Sequence, residues 1–280
     1  MEANSYGQKD TDIAANQAVE LERVNQLTAQ ITKCLTEAVE KNKRIVFTIA
    51  LIAGDVVILD ALHKAGLLDK VKIIFVDTYT LFPETVAFLH EVEAHYGFKA
   101  LVYHAKDIAT QAEFEKTHKA DFFDEETGKL VDIGGFDRLC KEEPMGRAMA
   151  ENASDCWING RRRDHGAERA SLHIWEGGKL NPLAFWTFED CWLYLRNNKV
   201  PYHPLHDAGY SSLGDAHSTI PVDVKEWMAY GNERKGRFVG MNNSDGSKKT
   251  ECGIHNNLPP AAKKAKTEAA AAGGAAAVKA

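Results

Sequence analysis

Cysteine is scarce in this chain and never paired. The five, at positions 34, 140, 156, 191 and 252, form no CxxC and no closely spaced framework, which argues against a disulfide scaffold and the usual zinc or iron–sulfur ligand sets. A reducing compartment follows. No apolar run approaches the roughly 18 residues needed to span a bilayer, and the opening MEANSYGQKDTD is acidic and carries no signal-peptide apolar region. The cytoplasm or a plastid stroma is therefore expected, and secretion is not. Positive charge is short too: 34 Lys and Arg against 40 Asp and Glu leave a formal net charge of -6, so no general field draws nucleic acid or an anionic membrane. An anionic ligand has to be met by local clusters of cations.

What is present is the alternation of an α/β protein. From Ala18 to Val39, Val19, Leu21, Val24, Leu27, Ile31, Leu35 and Val39 recur at helical spacing, as in a core-packing helix or a dimer face. RIVFTIA (44–50) reads as a buried strand, GDVVILDALHKAG (54–66) as a helix stopped by Gly66, and VKIIFVD (71–77) as a second strand. Pro83 suits the first turn of a helix running to about Tyr96, FKALVYH (98–104) gives a third strand, and DCWING (155–160) a short further one. Thr187 with Asp190 three residues on resembles a capping box for the helix TFEDCWLYLRNN. PYHPLHDAGYSSLGDAHST is rich in turn residues and histidine and reads as an ordered loop at the edge of a site. The expected fold is a parallel sheet flanked by helices, with ligands at the carboxyl ends of the strands. Residues 1–17 are expected to be flexible and 18–257 to form one domain ending in a mobile segment with Cys252. The Ala/Lys-rich 258–280 is expected to be disordered.

Four stretches could carry chemistry. In TIALIAGDVV (48–57), which includes Thr48, Gly54 and Asp55, amides at the start of the helix favour an anion, although any parallel α/β protein has such turns. Asp77 and Thr78 close the second strand, either as ligand contacts or, for Asp77 and Thr85, as caps. GRRRDHGAERA (160–170) holds four arginines, whose forks suit phosphate or sulfate, unless the stretch is a solvated face answered by Asp164 and Glu168. KKTECGIH (248–255) surrounds Cys252 with Lys248, Lys249, Glu251 and His255. Cations favour the reactive thiolate, whereas structural cysteines sit among apolar residues, as Cys34, Cys156 and Cys191 are expected to do. His203, His206 and His217 are further candidates for the lining of a site, and Trp157, Trp186 and Trp192 read as packing.

Together these stretches resemble a known family. FVDTYTLFPET is similar to its DTG-x-x-FPET stretch, KEEPMGRAM to K-x-x-P-x-x-RAL and GRRRDHGAERA to G-x-RR-x-Q-x-x-x-RA. NPLAFWTFEDCWLYLRNNKVPYHPLHDAGYSSLGDAHST and KTECGIH are similar to the closing blocks of the adenylyl-sulfate and phosphoadenylyl-sulfate reductases. The resemblance runs from about residue 44 to 255. It implies an adenine nucleotide α-hydrolase-like (PP-loop) fold and a thiol-dependent reductase of sulfate assimilation. Cys252 would be the nucleophile that takes up the sulfonate, and Thr48, Gly54, Asp55, Asp77, Thr78, Lys141, Arg162, Arg163, Arg169, Lys249 and His255 the substrate-binding residues. Electrons would come from thioredoxin, glutaredoxin or glutathione, as a separate partner, to a homodimer.

Departures from the family's patterns carry information of their own. Iron–sulfur members have a double cysteine ahead of the K-x-x-P stretch and a CxxC after the GYxSxG stretch; here only Cys140 and Asp215-Ala216-His217-Ser218 stand there. A cluster-free enzyme with no bound cofactor or metal is expected. Leu51, Ile52 and Ala53 replace serine and glycine in the phosphate loop, and His165 replaces a glutamine. GDAHST resembles the cluster-free, phosphoadenylyl-sulfate-using relatives, and GDVVILD the EDVALIE of plant-type adenylyl-sulfate reductases, so the expectation leans to adenylyl-sulfate with both nucleotides accepted. The alternatives are an ATP-pyrophosphatase-type adenylyltransferase, which needs no thiol, and a non-catalytic nucleotide-binding or redox-sensing homologue.

Overall fold

Side chains along a strand alternate between faces, and this chain uses both faces of one sheet. The computed structural model describes residues 10–243, 245–252 and 254. Its elements are α1 (Asp10–Lys41), β1 (Ile45–Ile49), α2 (Ala53–Lys64), β2 (Val71–Val76), α3 (Pro83–Tyr96), β3 (Leu101–Tyr103), α4 (Gln111–Thr117), α5 (Lys119–Phe122), α6 (Ile133–Asp137), α7 (Glu143–Glu151), β4 (Cys156–Ile158), β5 (Trp175–Glu176), β6 (Lys179–Leu180) and α8 (Phe188–Asn198), with a π-helical turn, Arg138–Glu142, joining α6 to α7. Ile45, Phe47 and Ile49 point into one core with Val71, Ile73, Phe75 and Ile158, covered by α1, α2, α3 and α8. Val46, Ile74 and Trp157 point the other way, onto Met145, Ala148 and Met149 of α7.

The sheet order is β3-β2-β1-β4-β6-β5, and every pairing is parallel except β5 with β6. The expected α/β fold, a mostly parallel sheet flanked by helices, is what forms. The chain steps outward from β1 to β2 and β3, then crosses to the other side of β1 for β4. At such a reversal the loops leaving neighbouring strands diverge and open a crevice at the carboxyl ends. The crevice therefore lies beyond Ile49 and Ile158.

Residues 53–62 of α2 are all buried, which accounts for its continuous apolar sequence. Pro83 opens α3, and Gly97, with φ of 70°, ends it. The first helix starts at Asp10 instead of Ala18, so part of the segment expected to be flexible is helical. The short helices α4 to α6 and the β5–β6 pair escape the sequence reading because none is long enough to show a period. The three helices rest instead on a separate aromatic cluster of Tyr79, Phe114, Phe122, Phe123 and Phe136, whereas Leu180 of β6 joins the main core. No helix among the described residues is long and apolar enough to cross a membrane.

At the start of α8 the Thr187 hydroxyl accepts the Asp190 N–H at 3.1 Å while the Asp190 carboxylate accepts the Thr187 N–H at 2.9 Å. Asp190 also receives Arg23 of α1 at 3.0 Å. Replacing Thr187 by Ala removes one half of this reciprocal cap and is expected to cost about 1 kcal/mol, read as a lower urea midpoint at unchanged denaturant slope. An unchanged midpoint would contradict the capping role.

Candidate active site

The turn from β1 into α2 approaches the end of β4 very closely. A Cβ placed on Gly54 would lie 3.2 Å from Arg162 Nη1 and from Leu183, and one on Gly160 would come 2.4 Å from Asp55 Oδ1. Leu51 holds a left-handed conformation, φ 62°, with its side chain fully buried, uncommon for a residue with a Cβ. The Asp55 carboxylate accepts the Ala50 N–H at 2.7 Å. Burial pushes this carboxyl up to about 7, against the pull of the Ala50, Ile52 and Leu51 amides, and the Glu233 charge adds to the rise.

Around this turn opens a cleft of about 1090 Å³, the open solvent at its mouth included. Thr48, Asp55, Thr78, Lys141, Arg169 and Cys252 all line it. Thr48 accepts the Trp157 Nε1–H at 2.9 Å. Lys141 is buried between two carboxylates, Asp137 at 2.7 Å and Asp215 at 2.8 Å. Burial alone would lower its ammonium, but Asp215 and Asp137, with the Cys252 sulfur, hold it above the ordinary lysine range. Asp215 also accepts the Thr78 hydroxyl at 2.5 Å and the Thr80 hydroxyl at 2.9 Å. Although burial opposes its ionisation, Lys141 and His217 keep it well below the usual carboxylate range.

Four arginines reach the cleft, and three of them lie outside the sequence expectation: Arg161, Arg234 and Arg237 join Arg169. Arg169 donates to Glu251 at 2.5 Å, and Arg234 lies 3.5 Å from the same carboxylate. Burial, with Arg169 nearby, brings Arg234 down to about 10. Arg237 donates to the Leu213 carbonyl. The expected substrate-binding pair Arg162 and Arg163 is turned away from the cleft in the ligand-free protein. Arg162 is fully buried and engaged by Asp164 at 2.9 Å and by Glu233. Arg163 donates to the Leu172 carbonyl at 2.6 Å and stacks on Phe185 with its guanidinium 4.2 Å from the ring centre. Neither lines the cleft. Arg234 and Arg237 lie in a short 3-10 turn, Glu233–Gly236, and just after it, where the sequence has no period to mark them.

Other expected residues stand behind the cleft wall. Asp77 turns back to accept the Tyr79 N–H at 2.8 Å, the capping alternative, and Gly54 serves the close approach described above. Lys249 is buried and pairs with Asp137 at 2.6 Å; His255 lies outside the described residues. His203 meets Thr85 at 2.9 Å, and His206 packs against Trp192 and Trp227. His217 sits edge-on to Phe123 and Phe136. None of the three histidines lines the cleft. Asp164, His165 and Glu233 lie close enough to share a metal ion, but the Arg162 guanidinium already supplies the cation there. Burial drives His165 down to about 3, so its neutral Nδ1 can accept from Arg169, 2.7 Å away.

Cys252 is half-buried and unpaired, carried on a segment without helix or strand. Three contacts hold that segment over the cleft: Lys249 on Asp137, and Glu251 on Arg169 and on Arg234. The Arg234 guanidinium also donates to the Thr250 carbonyl at 2.8 Å, and Ile254 packs on the cluster beneath the sheet. The arrangement puts a thiol, several cations and an anion-favouring turn on one wall, a geometry fit for attack by sulfur on an anionic centre.

Comparison with known proteins bears on what that centre is. A model of the phosphoadenosine phosphosulfate reductase domain matches residues 44–221. Phosphoadenosine phosphosulfate reductase of Emericella nidulans is 38% identical over 208 residues, 71% of this chain and 62% of its own length. The probable phosphoadenosine phosphosulfate reductase of Schizosaccharomyces pombe is 37% identical over 215 residues, 75% of this chain and 74% of its own. The phosphate complex of phosphoadenylyl-sulfate reductase from Candida auris superposes with a TM-score of 0.59 at 30% identity, covering 70% of this chain and 96% of that one. The chain thus spans less than two thirds of the Emericella relative.

Removing Lys249 leaves Asp137 still paired with Lys141, so this one of the segment's holds can be released without stranding Asp137. Lys249→Met is expected to raise the alkylation rate of Cys252 severalfold, followed by peptide mapping of ligand-free protein. An unchanged rate would show that the ion pair does not hold the segment.

Proposed function

The chain belongs to the phosphoadenosine phosphosulfate reductase family, and from that membership we propose that it is a thiol-dependent oxidoreductase that reduces an adenylylated sulfate to sulfite. The observation that carries the reading is Cys252 on the wall of the same cleft as Lys141, Arg169, Arg234, Arg237 and the β1–α2 turn. Sulfonyl transfer needs a soft nucleophile and cations on both the sulfonate and the departing phosphate. Here the nucleophile is the Cys252 thiolate. Its sulfur bonds to the sulfur of the phosphosulfate, the bond to the bridging oxygen breaks, and that electron pair leaves with the nucleotide. The cysteine becomes an S-sulfocysteine.

In the second stage a thiolate of thioredoxin, glutaredoxin or glutathione attacks the Cys252 sulfur, releasing sulfite and forming a mixed disulfide that a further thiol resolves. Lys141 and the Arg169, Arg234 and Arg237 guanidiniums take the sulfonate and phosphate charge. Thr48 and Thr78 offer hydroxyls, and the β1–α2 turn offers amides. A homodimer is the assembly in this reading.

Of the two nucleotides, phosphoadenylyl-sulfate is preferred. The relatives that support it match over about 200 residues, whereas the adenylyl-sulfate cue rests on the short GDVVILD segment. The enzyme is read as free of any iron–sulfur cluster. The two stretches that carry cluster cysteines in other members are joined here by Asp137–Lys141–Asp215, with Phe123, Phe136 and His217 filling the space beside them. Cys156 and Cys191 belong to the main core, leaving no four-thiolate set among the described residues.

Incubating reduced protein with each nucleotide in the absence of a thiol donor tests the proposal. Intact mass and peptide mapping are expected to place a sulfonate on Cys252, faster from phosphoadenylyl-sulfate, and Cys252→Ser to abolish both adduct and sulfite release. A folded protein with free thiol and no adduct from either nucleotide would leave the non-catalytic reading. Turnover surviving Cys252→Ser would point to adenylyl transfer.

A further inference from the structure

An anion-binding turn should be free of negative charge, and this one is not. Asp55 sits in the first turn of α2 with its carboxylate on the Ala50 N–H and the Leu51 and Ile52 amides drawn to it. Those amides belong to the turn just ahead of α2, beside the helix start that favours a phosphate. The carboxylate is nearly inaccessible, 4% exposed, yet it forms part of the cleft wall, and Gly160 is fitted around its second oxygen. We propose that Asp55 is a specificity-determining residue that screens the phosphate by charge, admitting the singly charged phosphate of a phosphosulfate and expelling the doubly charged phosphate left after sulfonyl transfer. This inference rests on reading the cleft as a phosphosulfate site.

The charge count makes the screen directional. In the phosphosulfate, the bridging oxygen is shared, so the phosphate carries one negative charge and the sulfonate another. When the Cys252 thiolate takes the sulfonate, the thiolate's charge passes with the breaking bond to the bridging oxygen. The S-sulfocysteine then carries one charge and the nucleotide 5′-phosphate two. A carboxylate on the loop thus interacts more unfavourably with the product than with the substrate. Most cations nearby already face a carboxylate in the ligand-free protein: Lys141 faces Asp137 and Asp215, and Arg169 and Arg234 share Glu251. Arg162, which approaches Gly54, is balanced by Asp164 and Glu233. Arg161, at the end of β4, is tied to Asn159 and Glu176, whereas Arg237, on the same cleft wall, donates to the Leu213 carbonyl. Glu233 adds negative charge on the Asp55 side.

The effect has a pH signature. Burial keeps the Asp55 carboxyl partly protonated near neutrality; as pH rises it ionises and repels the dianion. The nucleotide's own phosphate, with a second ionisation near about 6, is already doubly charged there. Product affinity should therefore fall with pH, and substrate affinity less.

Calorimetric titration with adenosine 3′,5′-bisphosphate and with adenosine 3′-phosphate, which lacks the 5′ group, isolates this term. From about pH 7 to about pH 8.5 the wild-type protein is expected to lose up to about tenfold of its affinity per pH unit for the bisphosphate. The 3′-phosphate should show no such loss. D55N, which keeps an acceptor for the Ala50 N–H, is expected to bind the bisphosphate about tenfold more tightly at the higher pH, with a flat profile. The wild-type comparison of the two nucleotides needs no variant and stands if D55N fails to fold. Parallel pH profiles for the two nucleotides, or equal bisphosphate affinity in D55N, would overturn the inference while leaving the nucleotide reading intact. If neither nucleotide binds the wild-type protein, the functional reading falls and this inference with it.

Discussion

The Lys141 ammonium between Asp137 and Asp215 is the interaction on which the site depends. It joins three pieces of chain distant in sequence: the π-helical turn, the GDAHST loop and, through the hydroxyls of Thr78 and Thr80, the end of β2. Asp137 extends the chain of charges to Lys249, three residues before Cys252. Desolvating these groups is costly, and an unpaired member would be worse, so each charge keeps at least one partner of opposite sign. The thiol is positioned by alternating charges, with no regular secondary structure beneath it.

A second buried network does the same for the opposite wall. Arg162, Asp164, Glu233 and the neutral His165 fill the space under the arginine loop, and His165 accepts from Arg169 where Arg169 enters the cleft. Asp164 also accepts the Phe188 N–H at 2.6 Å, fixing the loop to the start of α8. The arginine that looks most available in the sequence is thus the one most completely used by the fold. Its neighbour Arg161 lines the ligand space instead.

The centre of the sheet was legible because β1 and β2 are continuous apolar runs and the helices around them are punctuated by Pro83, Gly66 and a capping box, signals that act over a few residues. Thr48, Asp55, Thr78, Arg169 and Cys252 were legible as site candidates because they flank strand ends or sit in motifs of unusual charge, and Lys141 only through the family resemblance of KEEPMGRAM. What could not be read was direction. Arg161 and Arg162 are adjacent and chemically identical, and only the packing of Phe188 and Glu233 against one of them decides which is turned inward. The aromatic cluster around Phe136 and the stretch that supplies Arg234 and Arg237 are held by long-range contacts, which leave no local period.

Glu251 gives the ligand-free protein an internal counter-ion. Its carboxylate lies between two guanidiniums that would otherwise face solvent anions, next to the residue that bears the thiol. Any small oxyanion at high concentration competes for the same two groups and weakens the hold on that stretch of chain. The choice of salt therefore enters the chemistry of Cys252: a sulfate or phosphate buffer and a chloride buffer at equal ionic strength present two different resting states of one thiol.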